Sequence, residues 1–147
     1  MMITEMRSEH VAQVAALEKL CFGTEAWSEN SVASELNNQL ALWVVAVDGD
    51  RVAGYVGSQT VCDETDMMNI AVHPDYRRQK LGTALITNLI EALAKRGSHS
   101  LTLEVRASND PAIAMYTLYG FEQVGRRKNY YRNPKEDALI LRKEWEL

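Results

Sequence analysis

The sequence predicts an α/β (α+β) fold on one mixed sheet, with about six or seven strands and about four helices. Three observations predict it. Strand-like and helix-like patterns replace one another over short distances, with no linker, repeat or low-complexity tract between them. Three strand-like runs between Leu42 and Val72 are joined by short turns, which makes an antiparallel meander. A long amphipathic helix then separates the run ending at Val72 from that at Leu101–Val105, so these two strands should run parallel through a right-handed crossover.

Each element has a local reason. Met2 to Met6 alternates and reads as a first strand. Ser8 can cap a helix, with Glu9 favourable in its first turn. Val11, Val14, Ala15, Leu17, Glu18 and Leu20 give that helix a stripe with helical spacing, and Cys21 reads as a small core residue on it. Ser28 caps a second helix running to about Leu36, closed by Asn37-Asn38. Leu42–Val47 is a strand, Asp48-Gly49-Asp50 a hairpin turn, and Arg51–Val61 the partner strand. Cys62-Asp63-Glu64-Thr65 is a polar turn before the strand Asp66–Val72. Leu81–Lys95 is a helix with Leu81, Ala84, Leu85, Leu89, Ala92 and Leu93 on one face, closed by Gly97. Asn109-Asp110-Pro111 starts a further helix that Gly120 ends. Val124–Arg132 and Ala138–Leu141 complete the sheet.

Bulk properties bound the function. A chain of 147 residues fits one domain, residues 1–147, and buries a core without disulfides or a structural metal. Hydrophobic residues make up 46% and charged residues 24%, the balance of a soluble globular protein, and no run approaches a membrane span. The first residues lack the blocks of a signal peptide, so a cytoplasmic location is expected. The net charge of −4 argues against a protein built to hold nucleic acid and is compatible with a basic peptide partner. Cys21 and Cys62 match no zinc spacing and are expected as free thiols; His10, His73 and His99 form no ligand set, so no metal is expected. Arg126-Arg127-Lys128 reads as a solvated strand edge rather than a ribosomal or RNA contact, and Asp63, Glu64 and Asp66 as an exposed acidic turn. Met67-Met68 reads as core.

One segment points to chemistry. The loop from Arg77 to Thr83 lies between a strand and a helix start, where unpaired N–H groups and the positive end of the helix dipole favour a phosphate. Arg77, Arg78 and Lys80 add fixed positive charge. Alone, such a loop could equally be a solvated basic turn.

The run Asn69-Ile70-Ala71-Val72 through Arg77-Arg78-Gln79-Lys80-Leu81-Gly82-Thr83 resembles the signature of the GCN5-related N-acetyltransferases, the GNAT superfamily. Leu103-Glu104-Val105-Arg106-Ala107-Ser108-Asn109, Ala112, Met115-Tyr116, Tyr119-Gly120-Phe121 and Asn129-Tyr130-Tyr131 resemble its bacterial RimI branch. The resemblance implies a fold in which the parallel pair is splayed at a cofactor cleft. It implies transfer of acetyl from acetyl-CoA to the N-terminal alanine of the eighteenth protein of the small ribosomal subunit. It further implies that Ile70, Ala71 and Val72 offer backbone groups to the acetyl carbonyl, and that Arg77, Arg78, Gln79, Lys80, Leu81, Gly82 and Thr83 hold the pyrophosphate. Asn109 is the matched contact to the CoA arm, Glu104 the general base and Tyr116 the general acid.

A bland reading stands beside each role. Glu104 could simply pair with Arg106, which lies on the same face of a regular strand, or with another cation. Tyr116 could be a packing aromatic, and Asn109 a helix cap. Two positions depart from the family pattern: Lys80 stands where glycine is usual, and Ala26 where proline is usual before Trp27. Lysine-side-chain or small-amine (polyamine-type) acetylation is the alternative within the enzyme class, and a non-catalytic acyl-CoA-binding module the alternative outside it.

Overall fold

The structure is a computed structural model describing Met1–Leu147. Seven strands form one sheet in the order β1-β2-β3-β4-β5-β7-β6. They are β1 (Met2–Glu5), β2 (Ala41–Asp48), β3 (Arg51–Val61), β4 (Glu64–Val72), β5 (Ser100–Arg106), β6 (Glu122–Arg132) and β7 (Lys135–Glu144). The helices are α1 (Val11–Phe22), α2 (Glu29–Ser34), α3 (Leu81–Lys95) and α4 (Asp110–Leu118). No helix is long and apolar enough to cross a membrane.

The sheet is covered on both faces, and strand alternation divides the core in two. Leu42, Val44 and Ala46 of β2 join Leu81, Leu85, Leu89 and Leu93 of α3 in one cluster. Trp43, Val45 and Val47 join Val14 and Leu17 of α1 and Val32 of α2 in the other. Burial on both faces explains why β2 is an unbroken apolar run rather than an alternating one. Each fully buried leucine of α3 contributes about 1.5–3 kcal/mol.

One strand pair positions the cleft. β4 and β5 run parallel, as the crossover through α3 requires, but their ladder holds only at Glu64↔Ser100, Thr65↔Leu101 and Asp66↔Thr102. Both strands continue beyond it without pairing to each other. The register of β4 against β3 slips at the same level: Gly57 faces Asn69 while Ser58 faces Met67, leaving Met68 as the extra residue of a bulge. A bulge bends its strand and increases the local twist, which turns β4 away from β5.

Several local expectations need correction. Ser8 does not cap α1. It opens a one-turn 3-10 segment, Ser8–His10, and the bend is closed by His10 Nδ1, which accepts the Arg7 N–H at 2.9 Å. On α1, Leu20 is exposed and Glu18 is fully buried, so Glu18 takes an inward place in the stripe. Cys21 is half-buried: it packs against the α1-side cluster and also borders the cleft, and both cysteines are free. Met67 and Met68 are half-buried: they pack against the two core clusters, one on each, and also line the cleft. Arg126, Arg127 and Lys128 do lie exposed on the edge strand β6, where Arg126 pairs with Asp137 at 2.7 Å and Arg127 with Glu104 at 3.1 Å.

Candidate active site

The parting of β4 and β5 opens a cleft of three adjoining cavities, about 350, 530 and 290 Å³. Glu104 lines all three. Strand alternation puts it there: Leu101, Leu103 and Val105 turn into the core, while Thr102, Glu104 and Arg106 share the opposite face.

Arg106 is not the partner of Glu104. Its guanidinium takes Glu136 at 3.3 Å and the Pro134 carbonyl at 2.9 Å, and it stacks 4.2 Å from the Tyr131 ring centre. Glu104 instead accepts from Arg127 Nε at 3.1 Å, an arginine brought from β6. Its charge also shapes the neighbouring phenols. Hydrogen bonding to Glu104 is the largest cause that raises the Tyr130 hydroxyl, and burial followed by the Glu104 charge pushes Tyr131 up to about 12.

Tyr116 borders the two larger cavities together with Glu104. Its ring packs edge-on against Phe121 with centroids 5.3 Å apart, inside the core cluster. Burial, with Tyr131 second, pushes its hydroxyl up to about 12, so it stays protonated at neutral pH. Tyr119 is exposed. Asn109 borders the 530 Å³ cavity, and its Oδ1 accepts the Ala112 N–H at 3.3 Å as the cap of α4.

On β4, Ile70 borders the same two cavities, Ala71 is buried on the α1 side, and the Val72 carbonyl accepts from Arg77 Nε at 3.3 Å. From Met67 on, the β4 edge facing β5 has no ladder partner, so its amides are open to the cleft. Arg77 reaches back to Val72 and lies 3.9 Å from the Cys21 sulfur. Arg78, Gln79 and Lys80 are exposed, and Arg78 and Lys80 adopt left-handed backbone, φ +65° and +58°. Leu81 is buried and anchors α3, with Gly82 and Thr83 in its first turn. The Lys80 side chain makes no cap, so the first-turn amides of α3 keep the orphan donors of a helix start. Arg78 through Thr83 border none of the three cavities and form a separate basic surface at the head of α3. No group of three or more His, Cys, Asp or Glu lies together.

Sequence reasoning missed Glu25, Trp27 and the roles of Asn69, Tyr130 and Tyr131 as cleft residues, and Glu18 as the buried acid that holds Trp27 and Asn69. Glu18 did carry a signal: an acid at an inward helical position is rarely buried unless it is paired.

A profile described as the Acetyltransferase (GNAT) family matches residues 11–121. The chain is 44% identical over 117 residues to the [ribosomal protein bS18]-alanine N-acetyltransferase of Escherichia coli K12, covering 78% of each chain. It superposes on the crystal structure of the ribosomal-protein-S18-alanine N-acetyltransferase from Escherichia coli with a TM-score of 0.89 and 36% identity, over 99% of this chain and 94% of that one. An aminoglycoside 6'-N-acetyltransferase complexed with coenzyme A shares the fold at a TM-score of 0.86 and 19% identity, over 98% of this chain and 97% of that one.

Proposed function

Because the chain belongs to the acetyltransferase (GNAT) family, we propose that it moves acetyl from acetyl-CoA to the N-terminal alanine amine of the ribosomal protein bS18. The observation that carries this reading is the parted β4–β5 pair, with an ionisable carboxyl, Glu104, bordering every cavity of the gap. The reading takes residues 1–147 as one acetyltransferase domain.

The residues divide the work as follows. An N-terminal amine has a pKa near ~7.7–8.0, so at neutral pH a base must remove its proton before it attacks. Glu104 takes that proton, directly or through one water. The amine nitrogen bonds to the acetyl carbonyl carbon, and the Ile70-Ala71-Val72 backbone offers donors where the oxyanion develops: the Ile70 and Val72 amides face the unpaired edge, while Ala71 between them turns to β3. As the carbon–sulfur bond breaks, Tyr116 gives its proton to the leaving thiolate; its high pKa keeps that proton available. Asn109 contacts the CoA arm, and the basic loop of Arg77, Arg78, Gln79 and Lys80 with the first turn at Leu81, Gly82 and Thr83 holds the pyrophosphate.

Thiol release from acetyl-CoA tests this. Mixed with a peptide beginning Ala-Arg-Tyr, the protein should release thiol faster than with a lysine peptide or spermidine, by about tenfold or more. Faster release with the lysine peptide or spermidine would reassign the acceptor. Release with none of the three would leave an acyl-CoA-binding module.

A further inference from the structure

Glu18 has no part in the chemistry above, yet it is fully buried. Its Oε1 accepts the Trp27 backbone N–H at 2.8 Å and Asn69 Nδ2 at 3.0 Å. Its Oε2 accepts Asn69 Nδ2 at 2.9 Å and the Tyr55 hydroxyl. Every partner donates, which suits an ionised carboxylate, a group that only accepts. Burying a carboxyl is costly, and an apolar residue here would complete the stripe of Val14 and Leu17 without that cost. Packing of α1 therefore does not account for the acid.

Its donors come from the walls of the cleft. Trp27 ends the connection between α1 and α2, whose own backbone supplies one link across it, Ala26 N–H to the Gly23 carbonyl at 3.2 Å. Glu25 and Trp27 line the 350 Å³ cavity with Asn69, Glu104 and Tyr116. Asn69 stands beside the β4 bulge and borders the 530 Å³ cavity as well. Tyr55 stacks on Trp43 at 5.8 Å, and Trp43 meets Trp27 edge-on at 5.3 Å, closing a ring of contacts back to Glu18.

We propose that Glu18 is a positioning residue for the acceptor, tying the Gly23–Trp27 wall to Asn69 on β4 so that the acceptor peptide meets a preformed cleft. The inference rests on the acceptor reading above. It separates the two substrates: the acceptor wall depends on Glu18, while the basic surface at the head of α3 makes no contact with it.

The test uses Glu18→Gln, which keeps the size but sets an amide donor among donors, and Tyr55→Phe, which removes one donor and keeps the ring stack. Each is compared with wild type for peptide KM, acetyl-CoA KM, thermal midpoint and hydrogen exchange at the Trp27 amide without substrates. Glu18→Gln should raise the peptide KM about tenfold and speed Trp27 exchange about as much, with acetyl-CoA KM within about twofold. Tyr55→Phe should move both readouts the same way, by less. A lower thermal midpoint with unchanged peptide KM and unchanged Trp27 exchange overturns the proposal, as does an equal rise in both KM values. If Glu18→Gln does not fold, Tyr55→Phe decides on the same criteria. If wild type acetylates no peptide, the acceptor reading fails by itself, and unchanged Trp27 exchange in the variants would separately overturn the anchor.

Discussion

Lys80 enters α3 with φ +58°, a conformation in which an L side chain costs about 1 kcal/mol and glycine almost nothing. The glycine usual in the family at this point thus has a backbone reason, and Lys80 retains the N–H while adding charge. Lys80→Gly should bind acetyl-CoA as tightly or more tightly by calorimetric titration and gain about 1 kcal/mol in urea unfolding. Glu104 makes its ion pair with Arg127 on a half-exposed surface, so its loss should cost chemistry more than stability. Glu104→Gln should lower turnover by about 10²–10⁴ and alter the pH–rate profile, with acetyl-CoA affinity little changed. Unchanged turnover across pH would remove Glu104 from the mechanism. Tyr116→Phe keeps the ring that packs on Phe121 and loses only the hydroxyl. Turnover should fall by about 10²–10⁴ with circular dichroism and melting intact, whereas a fully active variant would make Tyr116 a packing residue.

At the scale of elements, the hairpin of β6 and β7 brings Tyr130, Tyr131 and Arg127 to the cleft and is tied down by carboxylates. The Asn129 N–H, then Arg126, hold Asp137 below its ordinary 3.8, and Ser108, then Arg106, hold Glu136 below its ordinary 4.5. A depressed folded pKa stabilises above the unfolded value and ceases to do so as pH falls through the folded one. The hairpin should therefore keep its amide protection at about pH 6 and lose it first below about pH 4, before α3 does. Protection factors measured residue by residue check this, and a hairpin as protected as α3 at about pH 3 would refute it. The elements themselves were legible where a local device makes them: Ser28 and Asn109 accept from the backbone as caps, and α3 spans the predicted Leu81–Lys95. Ser8 misled because a histidine, His10, closes that bend instead.

At the scale of the molecule, the parallel pair at the centre of a mixed sheet makes the cleft, and its opening is a property of three strands rather than one. Acetyl-CoA that binds the folded chain alone must stabilise it. At one hundred times its dissociation constant the gain is about 2.7 kcal/mol, and a melt should show the same upward shift for wild type and Glu104→Gln. A shift lost in Glu104→Gln would place that carboxyl in acetyl-CoA binding rather than in catalysis. By itself the sequence determined the order of the strands and helices and the parallel sense of β4 and β5, because periodicity, caps and crossovers act over short stretches of chain. Its motif residues also identified the family, since they stand at close spacing in one segment. The tertiary structure alone decided where the β4–β5 ladder stops, that Glu104 pairs with Arg127, and that Glu18 is gripped by Tyr55 and Asn69. Those contacts join residues 23, 37 and 51 positions apart, and no local pattern of residues encodes which distant donor will reach a carboxylate once the sheet has twisted.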